Sequence, residues 1–170
     1  MKTIDAAQVQ KTALITGTGG GIGKATAELL LKEGYFVFGY SRTNKINHPN
    51  FIFTPIDLSD LSQVNDLALP IINSDNLLFI NNAATIGSIV PFDKKETSDI
   101  INEYNLNLVS PTILCWKFIT SYTDIEKILI NIGSGAANSP IPSWSTYCAT
   151  KAALDMLTRV IAEENHKNLR

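Results

Sequence analysis

The feature that most constrains this 170-residue chain is a cluster of glycines set between an apolar strand and an apolar helix. Thr12–Thr16 (TALIT) has the composition of a strand buried on both faces, and Thr16-Gly17-Thr18-Gly19-Gly20-Gly21-Ile22-Gly23 follows it directly. From Ile22 to Glu33 apolar residues then recur at helical spacing until Gly34 stops them. Where a glycine turn joins a strand to a helix, free backbone N–H groups and the positive end of the helix face one point, which forms an anion site. Glycine also removes the Cβ that would hold a pyrophosphate away from the backbone. A lone G-x-G-x-x-G can be no more than a flexible turn; its setting between this strand and this helix is what points to a nucleotide phosphate.

The rest of the chain repeats the strand–helix alternation. Tyr35–Tyr40, Phe51–Ile56, Leu77–Asn81 and Lys127–Ile132 read as further strands. A helix opens near Asp60, whose carboxylate predicts an N-cap, and Pro70 interrupts or ends it. A long helical region spans Lys95 to Ser121 with a bend expected at Pro111, and a last helix spans Ser145 to Glu164. Short strands alternating with helices predict an α/β fold, a doubly wound parallel sheet, in one domain over residues 1–170. The net charge of -2 and the lack of a basic run argue against a nucleic-acid partner. No apolar run approaches the ~20 residues of a membrane span, and MKTIDAAQVQ has no leader core, so the cytoplasm is the expected location. Cys115, Cys148, His48 and His166 have no ligand spacing, so neither a metal site nor a disulfide framework is expected.

The second strand ends in Ser41 and Arg42, where nucleotide-binding sheets that use NAD usually place a carboxylate for the ribose 2′-hydroxyl. No acid stands there to repel a 2′-phosphate, and a guanidinium is present to pair with one, which predicts NADP(H) over NAD(H). The alternative for Arg42 is a solvated loop residue. Asp57, after the third strand, is by position a turn residue as readily as a cofactor contact.

Tyr147-Cys148-Ala149-Thr150-Lys151 places a phenol and an amine on one helix face, one turn apart. Free tyrosine titrates near ~10, and a neighbouring ammonium favours the phenolate, bringing the group toward acid–base work at neutral pH. Y-x-x-x-K occurs often by chance, and a surface pair would look the same. Its context is more particular. Ser134 closes the fifth strand thirteen residues before Tyr147, at a strand end where a hydroxyl can polarise a carbonyl. Asn81-Asn82-Ala83 follows the fourth strand, and Asn107 lies on the long helix.

Taken in order, T-G-x-x-x-G-I-G, N-N-A, Asn107, Ser134 and Y-x-x-x-K resemble the short-chain dehydrogenase/reductase family across residues 12–151. The resemblance implies a Rossmann-type sheet of order 3-2-1-4-5 and a nicotinamide cofactor. Gly17, Gly19, Gly21, Ile22, Gly23, Ser41, Arg42, Asp57, Asn82, Ala83, Tyr147 and Lys151 would hold that cofactor. It implies a catalytic set of Asn107, Ser134, Tyr147 and Lys151. Ser134 and Tyr147 would bind the oxygen of a small-molecule carbonyl substrate, and Tyr147 would donate the proton. Lys151 would tune the tyrosine and orient the ribose, and Asn107 would hold a water. Ala84 stands where the family motif N-N-A-G has glycine, a departure expected to narrow the cleft.

Ser134–Lys151 is also similar to the bacterial benzil reductases and sepiapterin reductases, which reduce aromatic or vicinal dicarbonyl compounds. Trp144 would then be an apolar wall beside the substrate or a structural tryptophan. A 3-oxoacyl thioester is the alternative substrate, and a non-catalytic NADP-binding module or an inactive truncated relative the alternative function. Self-association into a homo-oligomer through the long helix and the final helix is expected. Family domains continue with two more strands beyond this point. The chain is therefore expected to be an incomplete domain, with Lys127–Ile132 as an unprotected sheet edge and one uncovered face nearby.

Overall fold

The strand that precedes the glycines lies at the centre of the sheet because it is apolar on both faces: β1 (Lys11–Thr16) is buried from Thr12 onward. The computed structural model describes residues 11–170; the N-terminal segment read above for a leader lies outside the described residues. Around β1 are α1 (Gly21–Lys32), β2 (Phe36–Ser41), β3 (Phe51–Pro55), α2 (Leu61–Asp66) and β4 (Asn76–Asn81). Then come α3 (Thr97–Tyr104), α4 (Ser110–Ser121), β5 (Glu126–Asn131) and α5 (Ser145–Glu163). The five strands are all parallel in the order β3-β2-β1-β4-β5, as expected. The chain reverses its direction of travel across the sheet between β1 and β4, and the crevice outside the carboxyl ends of these strands is where such sheets take ligands.

Alternating side chains divide the core into two layers. Ala13, Ile15, Val37 and Ile80 pack toward Ala27 and Leu31 of α1. Leu14, Phe38, Leu77 and Phe79 pack on the opposite face with Val64 of α2 and Leu114 and Phe118 of α4. Asp60 caps α2 as expected, accepting from the N–H groups of Ser62 at 3.0 Å and Gln63 at 3.4 Å. The helix ends at Asp66, before Pro70 is reached.

Two expectations are corrected. The long helical region begins at Thr97 rather than Lys95, and its irregularity falls one turn before Pro111. Residues Asn105–Val109 form a π turn in which the N–H of Ser110 reaches the carbonyl of Asn105, five residues back. Proline has no N–H to return to the carbonyl four residues earlier and its ring crowds that carbonyl, so the backbone takes up the offset ahead of it.

The second correction concerns the β5 edge. After α5 the chain turns through Asn165 (φ 50) and Asn168 (φ 60) and lies beside β5. The N–H groups of Lys127 and Leu129 donate to the carbonyls of Asn168 (2.8 Å) and Arg170 (3.0 Å), and Arg170 N–H returns a bond to Lys127 (2.9 Å). The edge is thus paired along half its length, through a parallel bridge between Lys127 and Leu169. The uncovered face is present: Ile128 and Ile130 are in register with Leu78 and Ile80 on the α1 side, and they are 46% and 39% exposed.

Candidate active site

At the carboxyl ends of β1, β2, β3 and β4 the structure opens a cleft of about 550 Å³. Of the residues expected to hold a cofactor, Gly17, Gly19, Gly21, Ile22, Ser41, Arg42, Asp57, Asn82 and Ala83 line it. Gly17 and Gly21 have φ of +78° and +53°, a left-handed backbone that glycine takes without strain. A Cβ added at Gly20 or Gly21 would meet no atom within 4 Å, so the backbone there faces the open cleft. This is the cradle a diphosphate needs at the start of α1, and the residues present fit a dinucleotide.

Gly23 does not line the cleft. A side chain there would overlap the carbonyl of Gly17 and the amide of Asn82, so its absence allows α1 to close on the loop. Asn82 is committed in the same way: its N–H and side-chain amide donate to Thr16 Oγ1 and the Thr16 carbonyl, each at 2.9 Å. Thr16 Oγ1 also receives the N–H of Ala83 at 3.0 Å. Thr16 therefore fastens the β4 turn to the end of β1, a role that its place in an apolar strand did not suggest.

Ser41 is buried and donates to the Thr43 carbonyl at 2.7 Å, which shapes the turn after β2. Arg42 projects from this turn into solvent at the cleft. Across the cleft, Asp57 accepts from Ser59 Oγ (2.7 Å) and Ser59 N–H (2.9 Å). These bonds, with the Arg42 guanidinium as a smaller influence, hold its carboxyl below the usual carboxylate range.

Ser134, Tyr147 and Lys151 do not line that cleft; Ser134 follows the end of β5, and Tyr147 and Lys151 stand on the first turns of α5. Ser134 Oγ accepts from Ala136 N–H at 3.2 Å, capping a short 3-10 turn that packs on α5, and this bond leaves the hydroxyl proton unused. Lys151 Nζ is 5.8 Å from the Tyr147 ring centroid and donates to the Ile132 carbonyl at 2.7 Å. Only 3% of Lys151 is exposed, and burial holds its ammonium below the usual lysine range. Trp144 meets Tyr147 edge-on, with centroids 5.7 Å apart.

Asn107, carried by the π turn, is buried. Its Oδ1 accepts from Thr85 N–H (2.9 Å), and its amide donates to the Thr85 carbonyl (2.8 Å) and to Thr150 Oγ1 (3.3 Å). It thus joins the loop after β4 to α5, beside Lys151. Among the described residues, no group of three or more His, Cys, Asp and Glu could hold a metal, and no helix is long and apolar enough to cross a membrane.

The family model described as short chain dehydrogenase matches residues 11–169. The chain belongs to the short-chain dehydrogenase family. It is 35% identical over 167 residues to a benzil reductase ((S)-benzoin forming) of Bacillus cereus, a match covering 89% of this chain and 67% of that protein. It is 38% identical over 99 residues to a sepiapterin reductase of Xenopus tropicalis, covering 54% of this chain and 37% of the relative. A short-chain dehydrogenase/reductase structure from Burkholderia vietnamiensis superposes with a TM-score of 0.88 at 28% identity, covering 95% of this chain and 81% of that one. This short-chain dehydrogenase thus spans about two thirds of the length of the benzil reductase it matches. The family comprises nicotinamide-dependent oxidoreductases acting between CH–OH and C=O groups.

Proposed function

We propose that this chain carries the cofactor-binding and catalytic residues of an NADPH-dependent carbonyl reductase acting on a ketone or diketone. The observation that supports it most is the pairing of Lys151 with Tyr147 on the first turns of α5, the helix against which the turn capped by Ser134 at the carboxyl end of β5 packs. In the balanced reaction, a carbonyl, NADPH and a proton give an alcohol and NADP+, the bound nicotinamide supplying the hydride that the carbonyl carbon receives.

The chain's own groups handle the oxygen. Ser134 and Tyr147 donate hydrogen bonds to it and stabilise the negative charge that grows there, and Tyr147 gives up its proton. Lys151, buried and fixed by the Ile132 carbonyl, holds its amine beside the phenol ring from which the proton leaves. The Asn107 side chain is bonded to Thr85 and Thr150, and its main-chain carbonyl, to which Pro111 has no N–H to offer, is where a water would be held. Gly17, Gly19, Gly21, Ile22 and Ala83 receive the dinucleotide, and Arg42 pairs with a 2′-phosphate. The named activities of the relatives, benzil and sepiapterin reduction, favour an aromatic carbonyl, for which the Trp144 ring offers an apolar wall.

The test is turnover of benzil with NADPH by the wild-type chain and by Tyr147→Phe. The variant is expected to lose about a hundredfold or more in kcat while NADPH affinity changes by less than about twofold. A Tyr147→Phe protein that works at the wild-type rate removes the assignment.

A further inference from the structure

A second polar assembly lies next to the reacting side chains, and nothing in the mechanism above uses it. Glu103 of α3 is fully buried. Its carboxylate is paired with Lys95, their side chains 0% and 1% exposed, and it accepts a hydrogen bond from Thr146 Oγ1. Gly87, in the loop after β4, presses on the same carboxylate with φ +64°, and a Cβ there would overlap it. One helical turn on, the arrangement repeats, with Asn107 bonded to the loop at Thr85 and to α5 at Thr150. The loop, the α3 run and α5 are therefore joined by two polar rungs, at positions 103 and 146 and at 107 and 150. Tyr147 leaves α5 between them.

The first rung acts on a weak point. Trp144, at the start of α5, provides no side-chain cap, and Ser143 before it is in the left-handed region at φ 70. The turn that carries Tyr147 is thus held from the side, by Thr146, rather than from its end. A buried ion pair adds little net stability over apolar packing of the same shape, but it imposes one geometry on whatever it bonds. A negative charge near the N-terminal turn of α5 also suits the helix dipole.

We propose that Glu103 is a positioning residue for Tyr147: held by Lys95 and seated against Gly87, it fixes the first turn of α5 through Thr146. The proposal rests on the reading of Tyr147 as proton donor, and its test separates the two. The full chain is compared with Thr146→Val, Thr146→Ser and Glu103→Gln, using benzil and NADPH for kinetics. The ring ¹³C resonance of Tyr147, assigned with Tyr147→Phe, reports on placement without turnover. Thr146→Val is expected to lower kcat about tenfold or more with NADPH affinity within about twofold, and to shift the Tyr147 resonance. Thr146→Ser, which keeps the hydroxyl, restores both. Where Glu103→Gln fails to fold, Thr146→Val, which leaves the ion pair whole, carries the test. Wild-type turnover in Thr146→Val with an unmoved resonance overturns the proposal. If the wild-type chain does not reduce benzil, the reductase reading fails by itself. The clamp then stands on a resonance that moves in Thr146→Val and returns in Thr146→Ser, and falls if it does not move.

Discussion

At the scale of single residues, the proposed preference for NADPH rests on Arg42. It extends from a turn that Ser41 locks through Thr43, and it shares the cleft rim with Asp57, whose carboxylate is already engaged by Ser59. A charge-assisted bond to phosphate contributes about 1.5–3 kcal/mol, so Arg42→Ala is expected to weaken NADPH binding about tenfold or more while NADH binding barely changes. Titration of the fluorescence of Trp116 and Trp144 with each cofactor reads the difference. The place of Arg42 at the cleft and of Lys151 beside Tyr147 was legible in the sequence, because each sits at a fixed offset from a strand or along one helix face. Glu103 left a fainter mark: it falls on the buried stripe of residues 103, 107, 110, 114 and 118, where a carboxylate has no solvent to face. Its partner Lys95 and the neighbouring Gly87 gave no such sign, because only the path of the loop after β4 brings them there.

At the scale of elements, the π turn shows where sequence reasoning located the right cause and the wrong place. Pro111 marks the irregularity, yet the backbone absorbs it over Asn105–Val109 and so turns Asn107 toward Thr85 and Thr150. Pro111→Ala returns an N–H that can close an ordinary turn on the Asn107 carbonyl. The expected outcome is loss of the bond from Thr85 N–H to Asn107 Oδ1, seen as amide exchange at Thr85 faster by about tenfold or more, with overall helix content unchanged. Slow exchange at Thr85 in that variant would show that the π turn does not depend on proline. The strands, by contrast, were legible almost to their ends, since apolar β-branched and aromatic runs bounded by glycine and polar loops admit few other readings.

At the scale of the whole molecule, the parallel sheet followed from the strand–helix alternation and its order from the family resemblance, whereas the pairing at the β5 edge followed from neither. Three polar or charged residues among the last four, Lys167, Asn168 and Arg170, carry no strand pattern; they are placed by the two left-handed asparagines that turn the chain back. Lys127 secures the return: it is buried in β5, and its amine donates to the carbonyls of Tyr122 and Lys167. Deleting residues 168–170 removes three backbone bonds from the edge, and leaves Ile128 and Ile130 beside an open strand. A loss of about 2–4 kcal/mol is expected at about 1 kcal/mol per bond, together with concentration-dependent aggregation. Urea unfolding and light scattering measure the two effects, and an unchanged midpoint would show that the strip contributes nothing.

The seat of the Glu103 carboxylate against Gly87 carries a consequence for how such chains diverge. Because any side chain at position 87 would occupy the space of that carboxylate, the two positions cannot change independently: a residue larger than glycine at 87 demands a shorter one at 103, and a shorter one there strands the Lys95 ammonium and leaves the Thr146 hydroxyl without its acceptor. Positions 87, 95, 103 and 146 should therefore co-vary as a set among homologues, while Tyr147 beside them stays the same.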